Sequence, residues 1–388
     1  MSLHINEEEN HSMMKKVFAL VVVSALCLAM FAACDTATAP APAGPAAVAG
    51  DVDLTDFVID PSLIPQAKLD TTLYLAVSIR GVDNPYLATI YEGMMMFSEY
   101  LDGIGQKHET QLLDSGGSND REVNNMRQFA ARAGGNAIAY SDPNENAIAE
   151  ALAEAMAESG GFIGTAWNKP ADVGPMDYTP NWVIHTSPDN VKSGYEISVA
   201  LFEFMGDSGK VFVVEGMLGN TAASDRYKGF EMALAEYPGI EVVGHDTGNW
   251  ATAEALNLVE TWLNMHPDVG GIWCANDNMA TGALQALDRA GLRGTVGVVG
   301  IDANTDIVEA VRDGYAVATV SSNGWLQGGY TLAICYAAWT GLIDVASLSP
   351  DYREFATPAL LITIDNAADY LANPPVFDFS RPFDAKDR

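Results

Sequence analysis

From Thr72 onward, short apolar runs alternate with longer segments whose apolar residues recur every three or four positions. Runs at 73–79, 110–114, 137–140 and 161–166 predict strands, because a short apolar stretch bounded by polar turn residues suits a strand covered on both faces. Segments at 85–101, 120–133 and 145–158 predict helices, each with an apolar stripe to lay on a sheet. The same alternation restarts beyond Trp182, with helices predicted at 194–204, 222–237, 253–263, 279–290 and 306–313. The strands among them fall at 210–214, 242–245, 272–275, 296–299 and 316–320. Parallel neighbours require a crossover, so repeated strand–helix units predict parallel sheets flanked by helices. Two successive sets predict an α/β protein with two doubly wound lobes.

Ligands of such sheets bind beyond the carboxyl ends of the strands. The polar and aromatic residues that follow predicted strands are therefore the candidates: Asn84 and Tyr86, Trp167 and Asn168, Trp250, Asn276 and Asp277, and Asp302.

The first 70 residues do not share this pattern. Lys15 and Lys16 precede an apolar run at 17–30, too short to span a membrane comfortably, and then the small residues Ala32 and Ala33, which together read as a secretory leader. The ending Phe31-Ala32-Ala33-Cys34 resembles a bacterial lipobox, which implies acylation of the Cys34 sulfur and cleavage just before it. An ordinary cleaved signal peptide is the alternative. A Pro- and Ala-rich stretch follows, without hydrophobic periodicity, and reads as a tether.

Composition narrows the function. A length of 388 residues with 48% hydrophobic content can bury a large core, and the formal net charge of −31 argues against nucleic acid and anionic membrane surfaces as partners. That charge also favours a neutral ligand over an anionic one. Of four cysteines, Cys27 lies in the leader, Cys34 closes it, and Cys274 and Cys335 are expected as buried free thiols. No nucleophile elbow, phosphate-binding loop, dinucleotide fingerprint or zinc-helix motif is present, and the histidines show no metal spacing. No cofactor, metal site or enzymatic activity is expected.

The most diagnostic run is HPDVGGIWCANDNMATGALQAL at 266–287, followed by VVGID at 298–302. With DNPY at 83–86 and RYKGF at 226–230, it resembles the ribose-binding family of type I periplasmic binding proteins over roughly 72–365. The resemblance implies two lobes joined by a three-strand hinge, with crossings near 186–189, 320–323 and 359–364. The organisation it implies is a leader at 1–33, a tether at 34–70, a first lobe at 71–187 plus 323–358, and a second lobe with tail at 188–322 plus 359–388. It also implies that Asn84, Tyr86, Arg226, Trp250, Asn276 and Asp302 touch a sugar.

The chemistry agrees. Asp302 can accept from adjacent hydroxyls, Arg226 offers a planar fork of donors and Asn276 supplies both types. Tyr86, Trp250 and Trp167 offer flat apolar faces to the C–H surface of a polyol. Where ribose binders carry an Asp-Arg pair this chain has Trp167-Asn168, and where they carry a glutamine at the second crossing it has Ser321, Ser322 and Asn323. Its first loop is longer and places Arg80 near the mouth. These departures point away from ribose, toward another pentose, a hexose or a linear sugar alcohol. Plain structural roles compete at three positions: Trp167 as core, Asn84 as the start of a turn and helix, and Asp302 as a helix cap.

The resulting expectation is a lipid-anchored protein outside the cytoplasm that captures a small neutral sugar or polyol and delivers it to the permease of an ABC importer. A sugar receptor for chemotaxis or a sensor kinase shares the same binding chemistry. A cytoplasmic sugar-responsive repressor shares the fold, but the leader stands where a DNA-binding segment is expected.

Overall fold

The computed structural model describes residues 59–373 and Phe379. The expected leader, the expected lipidation site at Cys34 and the first part of the expected tether lie outside the described residues. Strands β1 (Leu73–Ile79), β2 (His108–Asp114), β3 (Ala137–Ser141), β4 (Phe162–Ala166), β5 (Trp182–Pro188) and β11 (Glu354–Thr357) form one sheet in the order β11-β5-β4-β3-β1-β2. Every pairing in it is parallel. The helices α1 (Pro85–Gly103), α2 (Asn119–Ala133) and α3 (Ala149–Ser159) make the crossovers.

A second parallel sheet has the order β7-β6-β8-β9, from β6 (Ser208–Glu215), β7 (Gly239–Thr247), β8 (Gly271–Cys274) and β9 (Gly297–Val299). Its helices are α4 (Asn190–Phe204), α5 (Thr221–Glu236), α6 (Thr252–Met265), α7 (Asp277–Ala290) and α8 (Thr305–Arg312). The antiparallel pair β10 (Thr319–Ser321) and β12 (Leu360–Ile362) attaches to β9 through a bridge between Val299 and Ala318. The chain passes between the sheets three times: from β5 into α4, from β10 into α9 (Gly324–Thr340), and from β11 into β12.

Helix α9 has no counterpart among the predicted elements. All of its residues except Trp325 are buried, so it is apolar all round and shows no stripe for a periodicity argument to find. Two other features depart from expectation. The segment expected as tether is folded from Ile59 onward: Ile59 and Ile64 are buried in the core around the first sheet, and Ile59 N–H donates to the carbonyl of Phe379 at 3.1 Å. The tail expected with the second lobe also returns to that core, where the Phe379 ring lies 5.1 Å from Phe97 and 4.9 Å from Tyr330. A buried aromatic outweighs the sequence position of the segment that carries it.

Candidate ligand-binding site

The carboxyl ends of both sheets open onto one cavity with about 360 Å³ of free space, open solvent included. From the first sheet it is lined by Arg80, Asn84, Tyr86, Leu87, Asp142, Trp167 and Asn168. The second sheet contributes Asn220, Ala222, Arg226, Trp250, Asn276 and Asp302. Of the residues singled out in the sequence, Asp277 and Ser322 do not line it.

Helix starts position three of the amides. Asn84 Oδ1 accepts from the N–H groups of Tyr86 (2.9 Å) and Leu87 (3.3 Å), Asn220 Oδ1 from Ala223 (3.2 Å), and Asn276 Oδ1 from Met279 (3.0 Å). Each caps its helix and lines the cavity at once, so for Asn84 the structural and the site readings coexist. Asp302 is not a cap: Asn304 precedes α8.

Arg226 is 3% exposed and reaches three partners. Its Nε donates to Asn190 Oδ1 (3.1 Å) and its Nη1 to the Ala275 carbonyl (2.7 Å), while Nη2 faces Asp302 Oδ1 at 3.8 Å. Its guanidinium lies over Trp167 (5.0 Å) and Trp250 (5.5 Å). Close helix packing aims it: a Cβ on Gly194 of α4 would stand 2.1 Å from the Arg226 carbonyl oxygen. Gly216 likewise leaves room for the Trp250 ring, which a Cβ there would meet at 2.1 Å.

Tyr86 and Trp167 share an acceptor. Tyr86 Oη donates to Gln327 Oε1 at 3.0 Å and Trp167 Nε1 to the same oxygen at 2.9 Å, with the rings edge to face 5.7 Å apart. Trp167, Trp250 and Asp302 all have positive φ, 66°, 63° and 136°. Backbone strain of this kind clusters at functional sites.

The wall pairs two carboxyl groups, Asp142 and Asp302, with two guanidinium groups, Arg80 and Arg226. Burial pushes Asp302 up to about 7 against the pull of Arg226 and Arg80. Burial also raises Asp142 to about 6, against Arg80 and the Asn168 amide, whose Nδ2 donates to Asp142 Oδ1 at 3.2 Å. Three polar atoms of lining residues are buried without a hydrogen-bond partner: Arg80 Nη1, Asn168 Oδ1 and Trp250 Nε1. Two are donors and one is an acceptor.

Asp277 lies beneath the site. Its carboxylate accepts from Thr319 Oγ1 (2.8 and 3.0 Å) and from the Asn304 N–H (2.8 Å), which ties the strand ends carrying Asn276 and Asp302 to β10. Ser322 is 1% exposed at the crossing into α9, and its Oγ has no partner. Beside it Asn323 caps α9 and Ser321 bonds Tyr370, so this crossing supports the site from behind, through the Val320 carbonyl, which accepts from the Asp302 N–H at 2.9 Å, and through Gln327, one turn into α9.

Sequence reasoning missed Gln327, Asp142, Asn220 and Leu87. Asp142 follows β3 directly, so the strand-end rule could have found it, and Asn220 stands as a cap before α5. Gln327 carries no local signal.

Between the lobes, Thr221 N–H and Oγ1 donate to Asn146 Oδ1 at 3.2 and 2.8 Å, and Asn220 Nδ2 to the Asn144 carbonyl at 3.5 Å. These bonds tie the loop after β3 to the start of α5. Among the described residues no group of three His, Cys, Asp or Glu could hold a metal ion, and no helix is long and apolar enough to cross a membrane.

Comparison with known proteins fits this geometry. A family model described as a periplasmic binding protein domain matches residues 75–342. A xylitol-binding protein of Mycolicibacterium smegmatis is 35% identical over 164 residues, 42% of this chain and 47% of that protein, so the match spans about half of that relative. A ribose import binding protein of Salmonella typhimurium is 29% identical over 248 residues, 64% of this chain and 78% of that protein. Among solved structures, a twin-arginine translocation pathway signal protein from Burkholderia phytofirmans superposes with a TM-score of 0.75 at 33% identity, covering 78% of this chain and 93% of that one.

Proposed function

The chain belongs to the periplasmic binding protein family, and on that premise we propose that it captures one small neutral sugar or sugar alcohol outside the cytoplasm and delivers it to the permease of an ABC importer. The observation that carries this reading is the set of unpartnered buried atoms on the cavity wall, Arg80 Nη1, Trp250 Nε1 and Asn168 Oδ1. An unmet buried polar group costs ~1–3 kcal/mol, and a polyol, whose every hydroxyl both donates and accepts, meets two donors and an acceptor together. The balance of two carboxyl and two guanidinium groups supports an uncharged ligand.

In this reading Asp302 accepts from adjacent hydroxyls, Arg226 and Asn276 donate, and Trp250, Trp167 and Tyr86 cover the C–H faces. Ligand held by groups of both sheets favours the state in which Thr221 and Asn146 are joined, and a hinge closes to the extent that the ligand binds that state better. The permease recognises the closed form. Acylation of Cys34 keeps the protein at the membrane surface, and the bound molecule leaves unchanged.

The test uses the chain beginning after Cys34. Melting shifts and calorimetry across pentoses, hexoses and linear polyols, with Asp302→Ala as the comparison, should find one neutral polyol that binds tightly, loses its affinity in the variant and is recovered intact. Failure of every sugar, or conversion of one, overturns the reading.

A further inference from the structure

The binding cavity is small, yet two larger clefts adjoin it. On one side the neighbouring cleft shares Arg80, Asn84, Leu87 and Trp250 with the cavity, as a mouth does. On the other side lies a cleft with about 1140 Å³ of free space, which shares a single residue with the cavity, Trp167.

That tryptophan is an expensive choice of wall. At φ 66° a bulky side chain is strained where glycine is not, so the local backbone gives no reason for an indole. The ring is nevertheless held from three sides. Gln327 accepts from its Nε1 at 2.9 Å, Tyr86 meets it edge to face at 5.7 Å, and the Arg226 guanidinium stands 5.0 Å from its centroid. The cleft behind it mixes apolar surface, Phe355 and Val191, with hydrogen-bonding groups, His185 and Asn190, and carboxylates, Asp189 and Asp225. Such a lining suits a second sugar unit.

We propose that the Trp167 indole is a partition that limits the ligand to one sugar ring or one short polyol, and that the cleft behind it accommodates a second unit once the ring is removed. The inference rests on the polyol-capturing reading above. Two bonds of the remaining boundary do not involve the indole: Arg226 Nε is bonded to Asn190 and Thr221 to Asn146. Removing the ring therefore opens a passage without dismantling the second wall.

The experiment compares the unaltered chain with Trp167→Gly and Trp167→Phe by calorimetry, using xylitol, ribose and allose against xylobiose and cellobiose. Glycine suits the positive φ, and Trp167→Asn, also at home there, is the second variant should glycine destabilise the fold. The unaltered protein should bind a monomeric ligand and reject both disaccharides by about 100-fold or more, as a steric wall does. In Trp167→Gly the monomer should weaken by about tenfold from lost stacking, while a disaccharide gains about tenfold or more; Trp167→Phe should keep the exclusion. Equal binding of monomer and disaccharide by the unaltered protein overturns the partition without any variant. A cooperatively melting Trp167→Gly or Trp167→Asn that binds disaccharides no better than the unaltered chain overturns it as well. If no monomer binds the unaltered protein, the polyol reading itself has failed, and that outcome is distinct from the other two.

Discussion

Asp277 and Asp302 are both buried carboxyl groups at strand ends of the second sheet, and burial raises both above the usual range. Asp277 is enclosed by donors of the protein, Thr319 Oγ1 and the Asn304 N–H. Asp302 faces the cavity with Arg226 at 3.8 Å. The same contrast holds for two tryptophans with positive φ: Trp167 Nε1 is bonded to Gln327, whereas Trp250 Nε1 is buried with no partner. Residue type is alike within each pair, and for the tryptophans the sign of φ as well. What differs within each pair is how far the protein itself completes the hydrogen bonds of the side chain.

The largest expected effects split the two aspartates. Asp302→Ala should weaken ligand binding by ~3 kcal/mol or about 100-fold, because it removes a buried charged acceptor, while leaving the melting temperature of the unliganded protein unchanged or higher. Asp277→Ala should lower unfolding free energy by ~2–4 kcal/mol, because Thr319 and Asn304 lose a shared buried acceptor. Paired denaturant melts and calorimetry check both, and a loss of stability in the Asp302 variant equal to that in the Asp277 variant would break the comparison.

Next in size is Gln327→Leu, which strands the Tyr86 hydroxyl and the Trp167 indole N–H. Stability should fall by ~1–3 kcal/mol, with ligand affinity falling as a consequence of the loosened rings. A variant as stable as the original would show that the shared acceptor supports nothing.

The pH dependence follows from the raised carboxyl groups. Asp302 rises from 3.8 to about 7, Asp142 from 3.8 to about 6, and Glu122, buried under the loop after β3, from 4.5 to about 7. In each the folded value exceeds the unfolded one. Their contribution to stability is therefore complete below about pH 4 and is lost as pH rises through about 7. The unliganded protein should melt lower at about pH 8 than at about pH 5, and Asp302→Asn should flatten that slope, which separates it from the repulsion of the acidic surface. A ligand that donates to ionised Asp302 should bind with release of a proton near neutral pH, measured by calorimetry in buffers of different ionisation enthalpy.

The smallest effect belongs to the bond between the lobes. Thr221→Val removes the hydroxyl donated to Asn146 Oδ1 and should cost ~0.5–1.5 kcal/mol of ligand affinity with no change in the melting of the unliganded chain. Small-angle scattering should find a larger open fraction at subsaturating ligand.

Much of the architecture was legible along the chain. The strand at 73–79 coincides with β1, and the helices at 120–133 and 279–290 lie within a residue or two of α2 and α7, because periodicity and capping are local properties. Helix α9 was not legible, since burial on nearly every side erases the stripe. The folded segment at 59–70 and the return of Phe379 were not legible either, because each depends on a surface built by distant residues.

The candidate site divides along the same line. Nine of the ten residues named as ligand contacts line the cavity: the carboxyl-end rule reached those that follow strands, whereas Arg226, within α5, came from the family resemblance. Ser322 does not, because the crossing turns it inward, and Asp142 and Asn220 take places that the strand ends also offered.

By itself the sequence determined most of the strands and helices, the parallel character of both sheets, and which strand ends line the cavity, since all of these follow from spacings of a few residues. Only the tertiary structure decided which polar groups are satisfied within the protein and which are left for a ligand. The reason is distance along the chain: Tyr86 finds its acceptor 241 residues away and Trp167 finds the same oxygen 160 residues away, and no local pattern encodes such a meeting.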